Sequence, residues 1–198
     1  MKKNAAAIMV LAATVFTAPQ VWATPNLVSD PGFEAGGVGW TFNQTDGNAG
    51  LLTGLAHTGI RSAYVNLFGG GTGSVEQTIA TTPGTNYLVD FWLADNGYGV
   101  GGTISVSFAG VTGFTRTDPV APATLVTIYT EHSFIAAATG ASELFHWGGV
   151  VTNATYLLDD VSISEVAAAS VPEPGTLALL GAGLVGAFAA RRRTKRVN

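Results

Sequence analysis

Carboxylates and aromatic rings are the side chains here with chemistry to offer. Asp159 sits in Leu158-Asp159-Asp160-Val161-Ser162-Ile163. At strand periodicity it shares parity with Val161 and Ile163, so it is expected to point inward. A buried carboxylate must be neutralised, hydrogen-bonded or coordinated. Two uses are open: an oxygen ligand for calcium, or a turn cap that accepts backbone amides. Asp160 has the opposite parity and is expected in solvent. Among the rings, Trp92 lies opposite the face of Tyr87 and Phe91, while Tyr98 lies beside Asn96 in Asp95-Asn96-Gly97-Tyr98-Gly99. A flat aromatic face suits the C–H face of a pyranose, so Trp92, Tyr98 and Asn96 are candidate carbohydrate contacts. Trp147 and Tyr129 are further candidates, and Trp40 is expected in the core.

Catalytic patterns are weaker. His57, His132 and His146 lack the close spacing of a zinc site. There is no Gly-x-Ser-x-Gly elbow. Gly69-Gly70-Gly71-Thr72-Gly73 lacks the lysine and following helix of a phosphate loop. Asp95, Asp118, Glu131 and Glu143 are scattered, and none is singled out as half of a glycosidase pair. The expectation is that the chain is not an enzyme.

The elements that must position these groups are strands. Ser62–Leu67, Val75–Ile79, Tyr87–Leu93 and Thr103–Phe108 alternate apolar with polar residues between turn-forming Gly, Pro, Asn and Asp. Further strands are expected at Leu51–Thr53, Leu125–Ala136, Ser142–Trp147 and Tyr156–Ser164. Eight or nine strands without crossover helices predict an all-β antiparallel two-sheet sandwich or jelly roll. There is no cysteine to staple it.

Both ends read as targeting segments. Lys2-Lys3, the apolar run Ala5–Thr17 and Val21-Trp22-Ala23 form a signal peptide, with signal peptidase expected to cut after Ala23. Residues 24–166 form one domain, and 167–170 a linker. In the tail, Pro172 and Pro174 stiffen the chain. The run Thr176–Ala190 has no charge, and Arg191-Arg192-Arg193-Thr194-Lys195-Arg196 stays on the cytoplasmic side. Fifteen apolar residues make a short transmembrane helix, since a full span takes about 20.

Val171-Pro172-Glu173-Pro174-Gly175, the apolar run and Arg191-Arg192-Arg193 resemble the PEP-CTERM sorting tail of Gram-negative bacteria. The resemblance implies an exosortase that recognises Val171, Pro172, Glu173 and Pro174, cuts nearby, and releases an inner-membrane intermediate to the cell surface or extracellular matrix. It implies membrane contact through the C-terminal helix before processing.

The domain also carries ordered landmarks. These are Asn26-Leu27-Val28-Ser29-Asp30-Pro31-Gly32-Phe33-Glu34 with Gly39-Trp40, and His57-Thr58-Gly59 leading to Ser62-Ala63-Tyr64-Val65. Pro83-Gly84-Thr85-Asn86-Tyr87 and Leu158-Asp159-Asp160-Val161-Ser162-Ile163 follow. Together they resemble galactose-binding-type jelly rolls, the fold of many carbohydrate-binding modules. That resemblance implies a structural calcium ion held by Glu34, Asp159 and loop carbonyls near Gly59.

Charge narrows the partners. Residues 24–166 keep two cations, Arg61 and Arg116, against twelve acidic residues, a formal charge of −10. Such a domain does not suit nucleic acid or anionic lipid, and it suits neutral sugars better than acidic polymers. Three functions remain in view: a surface or matrix module binding polysaccharide, a self-associating matrix protein without glycan, and a hydrolase.

Overall fold

A computed structural model describes residues 24–44, 48–67, 72–95, 102–118, 128–151, 154–167 and 181–184. Ten strands form: β1 (Thr41–Asn43), β2 (Asn48–Thr53), β3 (Arg61–Leu67), β4 (Thr72–Ala80) and β5 (Asn86–Asp95), then β6 (Gly102–Phe108), β7 (Val111–Asp118), β8 (Ile128–Ala137), β9 (Ser142–Val151) and β10 (Ala154–Glu165). They build two five-stranded sheets, β1-β4-β9-β6-β7 and β2-β3-β10-β5-β8, with antiparallel neighbours throughout. The expected all-β antiparallel sandwich is the fold. The alternating residues bury one face of each strand because the two sheets stack core to core. β4 shows it: Val75 and Ile79 are buried, while Thr78 and Ala80 are exposed.

The core holds Trp147, Tyr87, Tyr156, Phe33, Phe91, Phe108 and Phe145, all fully buried. Trp40 joins them as expected, 4.9 Å from Phe33 and edge-on to Phe145 at 5.7 Å. Segment 24–40 staples the sheets together. Leu27 N–H donates to Ile163 O, and Asn26 brackets β10 through Val161 O and Ile163 N–H. On the other side Ser29 and the buried Gln77 of β4 exchange two hydrogen bonds, 2.7 and 3.0 Å long. Every described buried hydrophobic side chain lies between Val28 and Ile163, so the described core is built within residues 24–167.

Sequence periodicity missed β1 and β7. Both are edge strands; β1 has three residues, and outward-facing positions of β7 are exposed, so neither shows a clean alternation. The expected signal peptide, Asn96, Tyr98 and the sorting residues Val171, Pro172, Glu173, Pro174, Arg191, Arg192 and Arg193 lie outside the described residues. Within the tail, residues 181–184 are helical. Among the described residues no helix is long and apolar enough to cross a membrane.

Candidate functional site

The cluster around Asp159 comes first, and it corrects the expected parity. Asp159 pairs across strands with Trp92, so the two share the outer face of the second sheet. The register shifts between Asp159 and Ser162, and Asp160 takes a left-handed φ of 48°. This β-bulge lets Leu158 and Val161 both face the core while Asp159 faces away from it. Asp159 is nonetheless fully buried, because the turn at 54–60 folds over it. One carboxylate oxygen accepts the amides of His57 (2.7 Å) and Thr58 (3.2 Å), and the other accepts the Asp160 amide at 2.8 Å. Burial raises its pKa to about 6, with the Asp160 charge adding and the three amides opposing.

Asp160, expected in solvent, is half-buried and ties down the same turn. Its carboxylate meets His57 Nδ1 and accepts from Thr58 Oγ1, each at 2.7 Å. The His57 ring stacks on Trp92 with centroids 3.8 Å apart and planes 14° from parallel. That face of Trp92 is therefore closed to a sugar. Tyr129 packs beside His57 and donates to Leu55 O at 2.6 Å; burial pushes its phenol up to about 12. Trp147 is a core residue. Of the aromatic candidates that are described, Trp40 and Trp147 lie in the core, Tyr129 packs beside His57, and half-buried Trp92 gives one face to His57.

Glu34 and Gly59 are neighbours, as the resemblance implied. One Glu34 carboxylate oxygen accepts the amides of Ile60 (2.8 Å) and Arg61 (2.7 Å). Gly59 sits at φ 68°, where an added Cβ would lie 2.5 Å from that oxygen. Calcium needs several oxygens converging with free lone pairs. Here the Asp159 oxygens meet three N–H donors and the Glu34 oxygen two, and the positive end of an N–H opposes a cation. As arranged, Glu34, Asp159 and Gly59 do not fit calcium; the carboxylates cap turns. Among the described residues no group of three or more His, Asp or Glu is placed to hold a metal.

The first sheet carries a different feature. Cross-strand partners line up in a row over all five strands: Asn43, Ser74, Gly148, Ser105 and Thr115. A second row is Thr41, Glu76, His146 and Ser107, and a third is Thr72, Val150, Thr103 and Thr117. These positions alternate with buried Val75, Trp147, Val106 and Ile104, so they form the outer face. Small side chains in the middle row make a trough. Part of it is a cleft of about 300 Å³ whose lining includes Asn43, Ser74, Ser105, His146, Gly148 and Gly149. A Cβ on Gly148 would run into the Gly73 carbonyl and Ser74, so only glycine keeps the floor low. With strands about 4.8 Å apart, the trough is about 19 Å long.

Its polar groups are linked. Asn43 Nδ2 donates to Ser74 Oγ (3.0 Å), which donates to Glu76 Oε1 (2.8 Å). His146 Nε2 lies 3.6 Å from the same oxygen. Thr103 and Thr117 hydroxyls meet at 3.0 Å. The trough thus offers hydroxyls, an amide, a carboxylate and an imidazole. No described aromatic side chain faces it. Aromatic residues drew the sequence reading elsewhere; Gly148-Gly149 inside a strand was the signal to follow, since strand glycines often mark close approach of a ligand.

The two antiparallel sheets form a jelly-roll sandwich, with the polar trough across one of them. Solved structures agree on the fold. TmCBM61 in complex with β-1,4-galactotriose matches with a TM-score of 0.50 at 16% identity, covering 72% of this chain and all of that one. The CBM22-1 xylan-binding domain of Paenibacillus barcinonensis Xyn10C matches with a TM-score of 0.53 at 18% identity, covering 76% and 100%. A cyclase from Fischerella sp. TAU matches with a TM-score of 0.54 at 16% identity, covering 75% and 100%. No curated protein sequence matches the chain. Residues 170–193 match the PEP-CTERM protein-sorting motif. The tail therefore marks an exported protein sorted by an exosortase.

Proposed function

We propose that residues 24–166 form a non-enzymatic carbohydrate-binding module, displayed at the cell surface or in the extracellular matrix after exosortase processing. The observation that carries this reading is the trough. Five strands present small polar groups in one row, over a floor lowered by Gly148. Such a surface matches an extended polyhydroxylated chain lying across the strands, with hydroxyls exchanging hydrogen bonds along its length. The sorting tail supports a matrix destination, where polysaccharide is the abundant polymer.

Without an aromatic platform each sugar contributes hydrogen bonds alone, and these net little against water. Affinity for a short oligosaccharide is near millimolar, about 4 kcal/mol. Binding of residues 24–167 to a panel of oligosaccharides and to the host's extracellular polysaccharide, followed by calorimetry, tests this. Ser105→Leu fills the trough from its outer side without entering the core, and it abolishes the heat. No glycan heat from a folded domain, or heat that survives Ser105→Leu, removes the proposal. Concentration-dependent assembly in the absence of glycan is then the outcome that favours a self-associating matrix protein.

A further inference from the structure

The trough has an electrostatic bias that its hydroxyls alone do not predict. Glu76 stands in the row beside the cleft, its side chain only 23% exposed. Its Oε1 accepts from Ser74 and lies 3.6 Å from His146 Nε2. Residues 24–166 contain two cationic side chains, Arg61 and Arg116. Arg61 donates to the Glu34 carbonyl at the turn of the second sheet. Arg116 lies over the buried Tyr156 ring, on the core side of β7. Neither faces the trough, so among the described residues no lysine or arginine stands beside Glu76.

Resting on the carbohydrate-binding reading, we propose that this trough selects glycans bearing free amines, with Glu76 receiving the ammonium of an amino sugar. The chemistry follows from the neighbours. An ammonium has three donors and no acceptor. Glu76 supplies a charged acceptor, while Ser74 and Asn43 hold its other contacts in place. A half-buried carboxylate strengthens a charge-assisted hydrogen bond relative to open water. The domain's formal charge of −10 draws a polycation in and repels uronic acids. An N-acetylated sugar lacks the charge, so the same backbone with its amines blocked loses this contact.

The test compares β-1,4-linked glucosamine oligomers with N-acetylglucosamine oligomers of equal length, titrated into residues 24–167. The free-amine oligomer binds about fivefold tighter, the value of one partly shielded ion pair, and raised salt narrows the gap. Glu76→Gln brings the two affinities together. Glu131→Gln, which removes an equal charge from the other sheet, keeps the preference. Equal affinities in the unaltered domain, a preference that survives Glu76→Gln, one that Glu131→Gln also removes, or tighter binding of an acidic uronate oligomer overturns the inference. If neither oligomer nor any other glycan binds, the carbohydrate reading itself fails. If acetylated and neutral oligomers bind without an amine preference, only the selectivity fails.

Discussion

Asp159→Asn isolates the cost of holding a carboxylate under the 54–60 turn. The folded pKa is about 6 against an ordinary 3.8, with burial as the first cause. The folded state therefore keeps a proton that the unfolded chain releases between these values. Asp159 contributes stability that is full below pH 3.8 and lost as pH rises through about 6. The gap corresponds to about 3 kcal/mol, at 1.36 kcal/mol per pH unit. Other groups tilt the same curve. Burial and Glu131 raise Asp90, which adds to the Asp159 slope. His132 is lowered by burial and Arg116, so its share is lost as pH falls. Glu143 is lowered by the Gly140 and Thr139 hydrogen bonds, with the same sign as His132. Urea unfolding of both proteins from pH 4 to 7 removes these shared contributions by difference. The unaltered domain should lose about 2 kcal/mol relative to Asp159→Asn across that range, since part of the full gap lies below pH 4. A flat difference, or one of opposite sign, would show that the three amides outweigh burial and hold Asp159 ionised.

Two further predictions bear on the same turn. Gly59→Ala forces a left-handed φ and crowds Glu34, so it should destabilise the domain by about 1–2 kcal/mol in urea unfolding; a smaller effect would mean the turn relaxes freely. Calcium and chelator should leave the melting temperature unchanged, because the oxygens in question already accept amides; a calcium-dependent rise would show that Glu34 and Asp159 swing onto a metal.

The physics explains which parts were legible. Periodicity marks β3, β4, β5 and β6, where buried and outward-facing residues alternate. It failed at Asp159, where a bulge opposes two residues of β10 to one of β5 and inverts parity for the rest of the strand. Nothing in Asp159-Asp160 distinguishes a bulge from regular extension without knowing that Asp160 turns left-handed. As arranged, Asp159 caps the turn by accepting three backbone amides. Among the aromatic candidates for sugar contact, Trp147 fills the core and Trp92 gives one face to His57. The trough is made of Ser, Thr, Asn and Gly drawn from five strands. These types are common in turns and exposed strands, and only the register brings them into one row.

The account turns on where a glycan sits. Amide chemical-shift mapping of residues 24–167 during an oligosaccharide titration answers this most directly. Shifts confined to Asn43, Ser74, Glu76, Ser105, His146, Gly148 and their row neighbours are predicted, with the amides of His57, Thr58 and Asp160 unmoved. Saturable shifts centred on the His57–Trp92 stack, with a silent trough, would contradict it.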